Sequence, residues 1–458
     1  MRLVIIFITG AAILALQLIS SRVMAPYFGV SLYIWSSILS ITLLFLALGY
    51  AYGGRYTHKK SIVQSAFWYH SASAFSALWI TISCMIYPLI FRDLGLWSLL
   101  GGSFAACFLL LSGSLFLLSA PNPLLVALRD EKSREDGHKT DSGAGYVFFV
   151  STMGSVAGVL IAAFLIIPFT TNYLAMLLTA AILALTSLIS IWFEPNLYAC
   201  HRKIIAVVGV VVLVVSGYMI ATPGKVGFGT INLTETEKWT LLEDVPSAFG
   251  TIKVFEVKGG ENEDERQVVS RRVMAQNGLI QNMTLANGYS VTLYTYMLEA
   301  FGLTAVPNAQ SVLVLGHGAG VLPRRFADKG MRVDVVEINP QVYRISKDYF
   351  GYKDDRITMH IEDARTFVKK CEKQYDLVIV DLYLGSGLPE HIVSKEFYQD
   401  IKNCLTEKGG MAINTIYTDL STAPHKTFQA TISNVFGDVF CIVNIFPGGH
   451  WGNAWFAI

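Results

Sequence analysis

Seven mostly apolar runs of about 20 residues each occupy the first 221 positions and constrain the fold more than any other feature. A helical run of that length matches the hydrocarbon thickness of a bilayer. We therefore expect residues 1–221 to form an α-helical integral membrane domain with seven spans. The first run should be retained as a span rather than cleaved, because six more follow it. The runs are Leu3–Ser20, Tyr33–Tyr52, Ile62–Tyr87, Leu96–Ala120, Gly145–Pro168, Tyr173–Phe193 and Ile204–Ala221.

The charged residues divide the chain into two unlike halves. Residues 1–221 contain 12 Lys and Arg against 7 Asp and Glu, whereas residues 222–458 contain 23 against 27, so the total of +1 combines +5 with −4. The first half is therefore poor in charge and the second is composed like a soluble domain. Neither half has the strong basic excess expected of a nucleic-acid-binding protein, and we predict no nucleic-acid partner.

Basic residues between the runs predict the orientation of a multi-pass protein of the cell (inner) membrane. Two of them, Arg22 and Arg92, fall on one side, and ten fall on the side of the N-terminus. The N-terminus is therefore expected in the cytoplasm, and seven spans would place the second half on the outer side. One span more or fewer would reverse that side. The ten residues are Arg2, Arg55, Lys59, Lys60, Arg129, Lys132, Arg134, Lys139, Arg202 and Lys203.

Few ionisable side chains interrupt the runs, and His70 is the main exception. We expect His70 to be hydrogen-bonded between helices, with a proton-relay role as the alternative. The spacing of Gly154 and Gly158 predicts a close contact between two helices. Because ion-coupled transporters usually keep charged groups within the membrane, the composition argues against that function without removing it.

The second half begins with a change to polar composition. Residues 222–244 are predicted to be a linker, and residues 245–310 a small β unit with a connecting helix. Alternation in Thr251–Val257 and Gln267–Val273, around the charged loop Gly259–Arg266, indicates antiparallel strands. Helical spacing follows in Leu293–Phe301.

Residues 311–458 alternate between predicted strands and helices, which is typical of a Rossmann-like α/β domain. The strand Ser311–Leu315 is followed by the glycine loop 316–320, the helix Leu322–Lys329 and the strand Arg332–Val336. Further strands are predicted at Ile357–His360, Leu377–Val380, Met411–Asn414, Val439–Ile445 and Ala454–Ile458, helices at Ala364–Cys371 and Lys395–Leu405, and a turn at Pro447–Gly449.

Four polar features follow strands of this sheet: the glycine loop, Glu337, Glu362–Asp363 and Asp381. Mostly parallel sheets bind ligands beyond the carboxyl ends of their strands, so these features predict a nucleotide site. The loop reads G-H-G-A-G rather than the G-x-G-x-x-G of dinucleotide-binding proteins, which favours S-adenosylmethionine-type nucleotides. Two plainer interpretations stay open: Glu337 as a solvated loop residue and Asp363 as a helix N-cap.

Several motifs together resemble the spermidine synthase (polyamine aminopropyltransferase) family, in particular its membrane-fused bacterial type with an N-terminal multi-span domain. The similar region covers roughly residues 245–458, and Gly10–Arg55 looks like the membrane part of the fused proteins. The motifs are Ser247–Gly250, Asn277–Gln281, Ser311–Gly320, Val336–Asn339, Glu362–Ala364, Tyr375–Asp381 and Lys395–Tyr398.

The resemblance implies a co-substrate and site residues, with no prosthetic group and no metal. The co-substrate would be S-adenosylmethionine or its decarboxylated form. Glu337 would hold the ribose, Asp363 the adenine amino group, and Gln281 would lie near the sulfonium. Asp381 would be the general base. The nucleotide would also contact Gly316, His317, Gly318, Gly320, Ile338, Ala364 and Tyr383.

At several positions where the family has acidic residues, this sequence has uncharged ones. Ala319 and Leu384 stand at two such positions, and Met283–Asn287 and Ser290–Thr292 replace an acidic cluster. Desolvating a doubly charged diamine without carboxylates is costly, so the acceptor is expected to differ from an ordinary diamine. Ala319 also removes a repulsion against a substrate carboxylate, which makes intact S-adenosylmethionine a plausible ligand.

The leading interpretation is therefore a membrane-anchored transferase, related to enzymes of polyamine biosynthesis, that displaces methylthioadenosine. Alternatives are a methyltransferase or an S-adenosylmethionine-cleaving enzyme, and a nucleotide-regulated transporter or sensor. The expected partners are the lipid bilayer, an acceptor of unknown identity and a second copy in a homodimer. Cys371 and Cys404 end two predicted helices and could form a disulfide if the domain is exported, with two free buried thiols as the alternative.

Overall fold

The computed structural model describes most of the chain and divides it into two compact units, Met1–Gly229 and Thr230–Ile458. The described residues are 1–28, 32–59, 62–135, 143–194, 197–222, 230–234, 237–259, 270–353, 356–383, 390–417, 423–437, 439–445 and 452–457.

The described residues of the first unit form eight helices and a π-helical turn. All seven predicted runs are helical, and seven helical segments are long and apolar enough to cross a membrane, judged by length and composition. The additional helix arises because the fourth run ends at Pro121, where a new helix begins. The helices are α1 (Arg2–Phe28), α2 (Leu32–Lys59), α3 (Ile62–Trp97), α4 (Leu99–Ser119), α5 (Pro121–Glu135), α6 (Ala144–Ile161), α7 (Asn172–Ser190) and α8 (Ala199–Ala221), and the π-helical turn is Ala162–Ile166.

Small residues allow α1 and α6 to pack backbone against backbone. A Cβ added to Gly154 would lie 2.1 Å from the carbonyl oxygen of Phe7, and one added to Gly158 would lie 2.1 Å from that of Ala11. Neither position has room for a side chain. The predicted close helix contact at Gly154 and Gly158 is confirmed, and its partner is α1.

His70 is buried and hydrogen-bonded, and its partner is a carboxylate. His70 Nε2 lies 3.2 Å from Glu194 Oε2, which also accepts a hydrogen bond of 2.7 Å from Arg2 Nη2. Glu194 follows α7, one residue beyond the end of the sixth run. The hydrogen bonds from His70 and Arg2 lower the pKa of Glu194 to about 2. The predicted hydrogen bond of His70 is confirmed. Its partner, the Glu194 carboxylate, lies outside the seven apolar runs.

A five-stranded antiparallel sheet begins the second unit, in the order β1 to β5. The linker predicted at residues 222–244 is wrong where β1 and most of β2 occupy it. Most side chains of β2 are only partly buried, so its polar composition resembled that of a linker. Most of the charged loop Gly259–Arg266 lies outside the described residues. The strands are β1 (Thr230–Thr234), β2 (Glu237–Val245), β3 (Ile252–Gly259), β4 (Ser270–Gln276) and β5 (Leu279–Leu285).

The rest of the second unit forms a seven-stranded, mostly parallel sheet with helices, as the Rossmann-like prediction requires. Its order is β11-β12-β10-β9-β6-β7-β8, and only β12 runs antiparallel to both of its neighbours. The strands are β6 (Ser311–Leu315), β7 (Arg332–Glu337), β8 (Ile357–Ile361), β9 (Tyr375–Val380), β10 (Leu405–Tyr417), β11 (Phe440–Ile445) and β12 (Gly452–Ala457).

The predicted helices of this part are present, and two further helices had been missed. The predicted turn Pro447–Gly449 lies outside the described residues. One missed helix, α11, carries clear local signals: Asn339 caps its N-terminus, Pro340 begins it, and Gly351 ends it with a positive φ. The helices are α9 (Leu293–Ala305), α10 (Val321–Asp328), α11 (Pro340–Phe350), α12 (Ala364–Lys369), α13 (Lys395–Asn403) and α14 (Ala423–Phe436).

An apolar cluster fixes the first sheet of this unit against the Rossmann-like part. The cluster joins buried apolar side chains of both parts, and burying apolar surface is the main force that holds two layers together. Beside it, the Asn339 side chain donates a 3.0 Å hydrogen bond to Ser247 Oγ. The cluster contains Val245, Ile252, Val254, Met274, Ala319, Val321, Val342, Ile345 and Phe350.

Cys371 and Cys404 form a disulfide, with Cα atoms 5.7 Å apart. They follow α12 and α13, whose ends meet beside β9 and β10. The structure therefore contains the disulfide rather than two free buried thiols.

The contact between α1 and α6 predicts opposite effects for two glycine substitutions. Gly154→Ala should lower the stability of the protein by about 1–3 kcal/mol, because the added methyl group overlaps the backbone of α1. Gly217→Ala in α8 is the matched control: nothing lies within 4 Å of its added Cβ, and alanine favours the helix. Melting temperatures of the full chain in detergent measure both, and an equal effect of the two changes would contradict this packing.

Candidate nucleotide-binding and catalytic site

The site is centred where the glycine loop after β6 touches the end of β9. The Asp381 N–H donates a 2.9 Å hydrogen bond to the carbonyl oxygen of Leu315. Gly316 has a φ of +96°, and a Cβ there would lie only 2.1 Å from the carbonyl oxygen of Asp381. A residue without a side chain is therefore needed at position 316. This contact brings the predicted general base directly beside the predicted nucleotide loop.

The remainder of the loop turns into α10. Gly320 has a φ of +73° and lies against Tyr352, where a Cβ would come within 2.4 Å of the ring. Gly318, in contrast, has open space on its Cβ side. His317 is 4% exposed, with its Nε2 2.7 Å from Ser346 Oγ and its ring against Tyr352. What His317 can offer a nucleotide is therefore its backbone rather than its imidazole.

Glu337 ends β7, and backbone groups hold its carboxylate. Oε2 accepts a 3.1 Å hydrogen bond from the His317 N–H, and Oε1 accepts a 2.8 Å hydrogen bond from the Asn339 N–H. The Ile338 N–H also interacts with it. Burial nevertheless raises the pKa of Glu337 above its ordinary value. Three backbone contacts do not fit a freely solvated loop residue, and they leave about one of the carboxylate's roughly four acceptor sites for a ribose hydroxyl.

Asp363 is the N-cap of α12, as the plainer interpretation proposed. Its Oδ1 accepts hydrogen bonds from the backbone N–H (2.9 Å) and the hydroxyl (3.1 Å) of Thr366. Oδ2 faces His391, with 3.5 Å between the oxygen and Nε2. Ala364 begins the helix and is buried in the core. Capping uses one oxygen of Asp363, so the cap does not conflict with the predicted adenine contact.

Asp381 lies at the carboxyl end of β9 among neutral polar groups. Asn414 Nδ2 donates a 2.9 Å hydrogen bond to Asp381 Oδ1, and the Tyr294 hydroxyl also hydrogen-bonds to the carboxylate. Burial is the largest influence and raises the pKa of Asp381 to about 6. Tyr383, another predicted contact, donates its hydroxyl to the backbone oxygen of Asn414 (3.1 Å). Leu384 lies outside the described residues.

Tyr294 connects Asp381 to the first sheet of the second unit. Its hydroxyl lies 3.2 Å from the carbonyl oxygen of Gln281 and accepts a 3.1 Å hydrogen bond from Asn282 Nδ2. Burial raises the pKa of Tyr294, so it is a neutral donor near pH 7. The carbonyl oxygen of Gln281 is thus linked to Asp381 through one hydroxyl group, and the position of Gln281 near the sulfonium stays a prediction.

Three residues of this network were missed from the sequence: Tyr294, Asn282 and Asn414. Asn414 had a usable signal, because it is the last residue of a predicted strand, the same feature that identified Asp381. Asn282 directly follows Gln281, the last residue of the motif Asn277–Gln281. Tyr294 lay within a predicted helix, and nothing local marked its hydroxyl as part of a site.

Comparisons with known proteins bear on this half of the chain. Residues 291–457 match the sequence model described as "Spermine/spermidine synthase domain". A polyamine aminopropyltransferase from Vibrio vulnificus is 31% identical over 145 residues, which cover 30% of this chain and 48% of that protein. A second, from Thermoplasma volcanium, is 32% identical over 151 residues, or 31% and 55% of the two chains. This chain thus spans about half the length of these relatives.

Among solved structures, the spermidine synthase from Thermotoga maritima is similar with a TM-score of 0.38 and 22% identity. The alignment covers 47% of this chain and 72% of that structure.

The two roles assigned to Asp363 can be separated by substitution. Asp363→Ala should lower stability by about 1 kcal/mol, because it removes the acceptor for the Thr366 N–H. Asp363→Asn keeps an N-capping oxygen and should leave the melting temperature close to that of the parent. The Asn variant should still weaken nucleotide binding, since an NH2 group replaces Oδ2. Full affinity in a stable Asn variant would show that Asp363 acts only as a cap.

Proposed function

We propose that this chain, whose residues 291–457 form a spermine/spermidine synthase domain, is a transferase that releases methylthioadenosine from decarboxylated or intact S-adenosylmethionine. The observation that carries the proposal is the position of Asp381. A carboxylate with a raised pKa lies against the glycine loop and is oriented by Asn414 and Tyr294. The family resemblance is confirmed for this part of the chain, and the homologues are transferases by name.

The nucleotide would lie across the carboxyl ends of β6, β7 and β8. Glu337, fixed by backbone N–H groups, would accept a hydrogen bond from a ribose hydroxyl. Asp363 Oδ2 would accept one from the adenine amino group. The open side of Gly318 would allow the backbone of the loop to approach the ligand. The nucleotide is a co-substrate in this scheme, and no prosthetic group takes part.

The proposed reaction needs alignment and one base. An amine nitrogen attacks the carbon beside the sulfonium, the new C–N bond forms, and the C–S bond breaks. Methylthioadenosine leaves as a neutral thioether, so no acid is required at the leaving group. The proton of the amine passes to Asp381, whose raised pKa makes it a better base than an ordinary carboxylate.

The surroundings of Asp381 favour an acceptor with less charge than a diamine. Its described hydrogen-bonding neighbours, Asn414 and Tyr294, are neutral, and so is Asn282 behind them. Ala319 packs within an apolar cluster. Two ammonium groups would lose much of their hydration here, and Asp381 is the one carboxylate in the network formed by these described residues, which is unfavourable for a doubly charged acceptor. A singly charged amine matches the site better.

Anchoring in the cell membrane and an outer catalytic domain are further parts of the proposal. Seven helices suited to spanning and a positive N-terminal side support both. The disulfide between Cys371 and Cys404 adds support, because disulfides persist in oxidising compartments. Since S-adenosylmethionine is made in the cytoplasm, the membrane half would then have to supply the nucleotide.

A pH profile tests the role of Asp381. Because only the carboxylate can accept a proton, kcat/KM for methylthioadenosine release should rise as the pH increases through about 6 and then level. Asp381→Asn should lower kcat by about 10²–10⁴-fold, lose this acidic limb and still bind nucleotide. Formation of S-adenosylhomocysteine instead would indicate methyl transfer, and no binding of either nucleotide would overturn the proposal.

A thiol count tests the disulfide and with it the outer location. Purified, unreduced and denatured full chain should show four reactive thiols, those of Cys84, Cys107, Cys200 and Cys441. Reduction should raise the number to six, the total in the sequence. Six thiols before reduction, in protein isolated under alkylating conditions, would remove this support for export.

A further inference from the structure

Exposed apolar side chains of the second unit are concentrated at the edge of the catalytic site. Among its described residues, seven large apolar side chains are exposed, and five of them fall between positions 279 and 293, each 39% to 58% exposed. The other two, Ile361 and Phe440, lie on separate strands. We call the five residues the apolar rim: Leu279, Ile280, Tyr289, Val291 and Leu293.

Backbone contacts place Tyr289 and Val291 alongside β5, the strand that begins with Leu279 and Ile280. The Leu285 N–H donates to the Tyr289 oxygen (2.8 Å), and the Val291 N–H donates to the Met283 oxygen (2.7 Å), so the segment after β5 returns alongside it. Leu293 begins α9, next to Tyr294, which reaches the carbonyl of Gln281. The rim therefore borders Tyr294, which hydrogen-bonds to Asp381, and Gln281, whose carbonyl oxygen lies next to the Tyr294 hydroxyl.

The rim also lies on a segment of the chain that contains no charged residue. No Asp, Glu, Lys, Arg or His occurs from residue 273 to residue 298. At the two ends, Arg272 pairs with Glu256, and Glu299 pairs with Arg325 and Lys329. Placing the rim against an apolar surface would consequently remove no ionised group of this segment from water.

Chain connectivity argues for the bilayer as that apolar surface. Eight residues, 222–229, separate the end of α8 from the start of β1. A membrane that holds α8 therefore also keeps the second unit close to its surface. Exposed Leu, Ile, Val and Tyr side chains are suited to the interface between lipid headgroups and acyl chains. The Arg324 guanidinium, which donates a hydrogen bond to the Gly288 oxygen beside Tyr289, is a group that such an interface accommodates at headgroup level.

We infer that the apolar rim docks on the membrane that anchors the chain and that the acceptor is a membrane-resident amine. The inference rests on the proposed function. An amphipathic amine would keep its apolar part in the bilayer while its amino group reaches Asp381 past Gln281 and Tyr294. Its nitrogen takes the alkyl group, its proton goes to Asp381, and methylthioadenosine leaves. Such an acceptor carries one amino group, which suits a site with neutral neighbours.

The test compares acceptors with the full chain in nanodiscs. One set contains phosphatidylcholine alone and the other adds phosphatidylethanolamine; decarboxylated S-adenosylmethionine is supplied, and methylthioadenosine is measured. Discs that contain phosphatidylethanolamine should release methylthioadenosine about tenfold faster, or more, than phosphatidylcholine discs to which putrescine is added. The modified lipid should appear in equal amount. Equal turnover of putrescine in both discs, with no modified lipid, would overturn the inference and leave the proposed function standing.

Substitutions then test the rim itself. A triple variant, Ile280→Ser, Val291→Ser and Leu293→Ser, should lose about tenfold or more of the lipid-dependent rate while nucleotide affinity stays near that of the parent. Phe440→Ser, an exposed apolar residue outside the rim, is the control and should keep the rate. A nucleotide affinity near that of the parent would show that the triple variant is folded.

Two other outcomes have defined meanings. A triple variant that turns from dimer to monomer with an unchanged lipid-dependent rate would show that the rim binds a second copy, and would overturn the inference. Absence of nucleotide binding and of methylthioadenosine with every acceptor would instead contradict the proposed function itself.

Discussion

The neighbouring positions of β6 and β9 are the constraint on which the site depends. They place the backbone of Gly316 against that of Asp381, at a distance that leaves no room for a side chain. On its other side β6 pairs with β7, so Glu337 ends beside the same loop and is held by the His317 N–H. One strand order thus brings the glycine loop, a ribose-binding candidate and a base candidate together, although they are spread along the sequence.

Scarcity of charge is shared by the site and the surface beside it. Asp381 is hydrogen-bonded by the neutral groups of Asn414 and Tyr294, and burial outweighs these hydrogen bonds and raises its pKa. The apolar rim continues this character to the surface of the domain. The first unit contains the opposite case. Glu194 is also buried, but its hydrogen bonds with His70 and Arg2 lower its pKa. A buried carboxyl group thus has a raised pKa in one unit and a lowered pKa in the other.

The sequence predicted those parts of the site that lie at strand ends, since a polar residue after a short apolar run is a local signal. Asp381, Glu337 and Asp363 were found in this way. Tyr294 was not found, because its role depends on α9 packing across the end of β9, and helical periodicity does not report which hydroxyl reaches a distant strand. Polar β2 was mistaken for a linker because few of its side chains are buried.

The sequence by itself determined the seven apolar helices and the alternation of strands and helices in the second unit. These properties are encoded by periodicity and composition within some 20 neighbouring residues. Tertiary structure alone decided that Cys371 bonds to Cys404, that Glu194 neutralises Arg2 beside His70, and that Tyr294 reaches Asp381. Each of these pairs residues far apart in the chain, and their proximity follows from strand order and helix packing rather than from any local pattern.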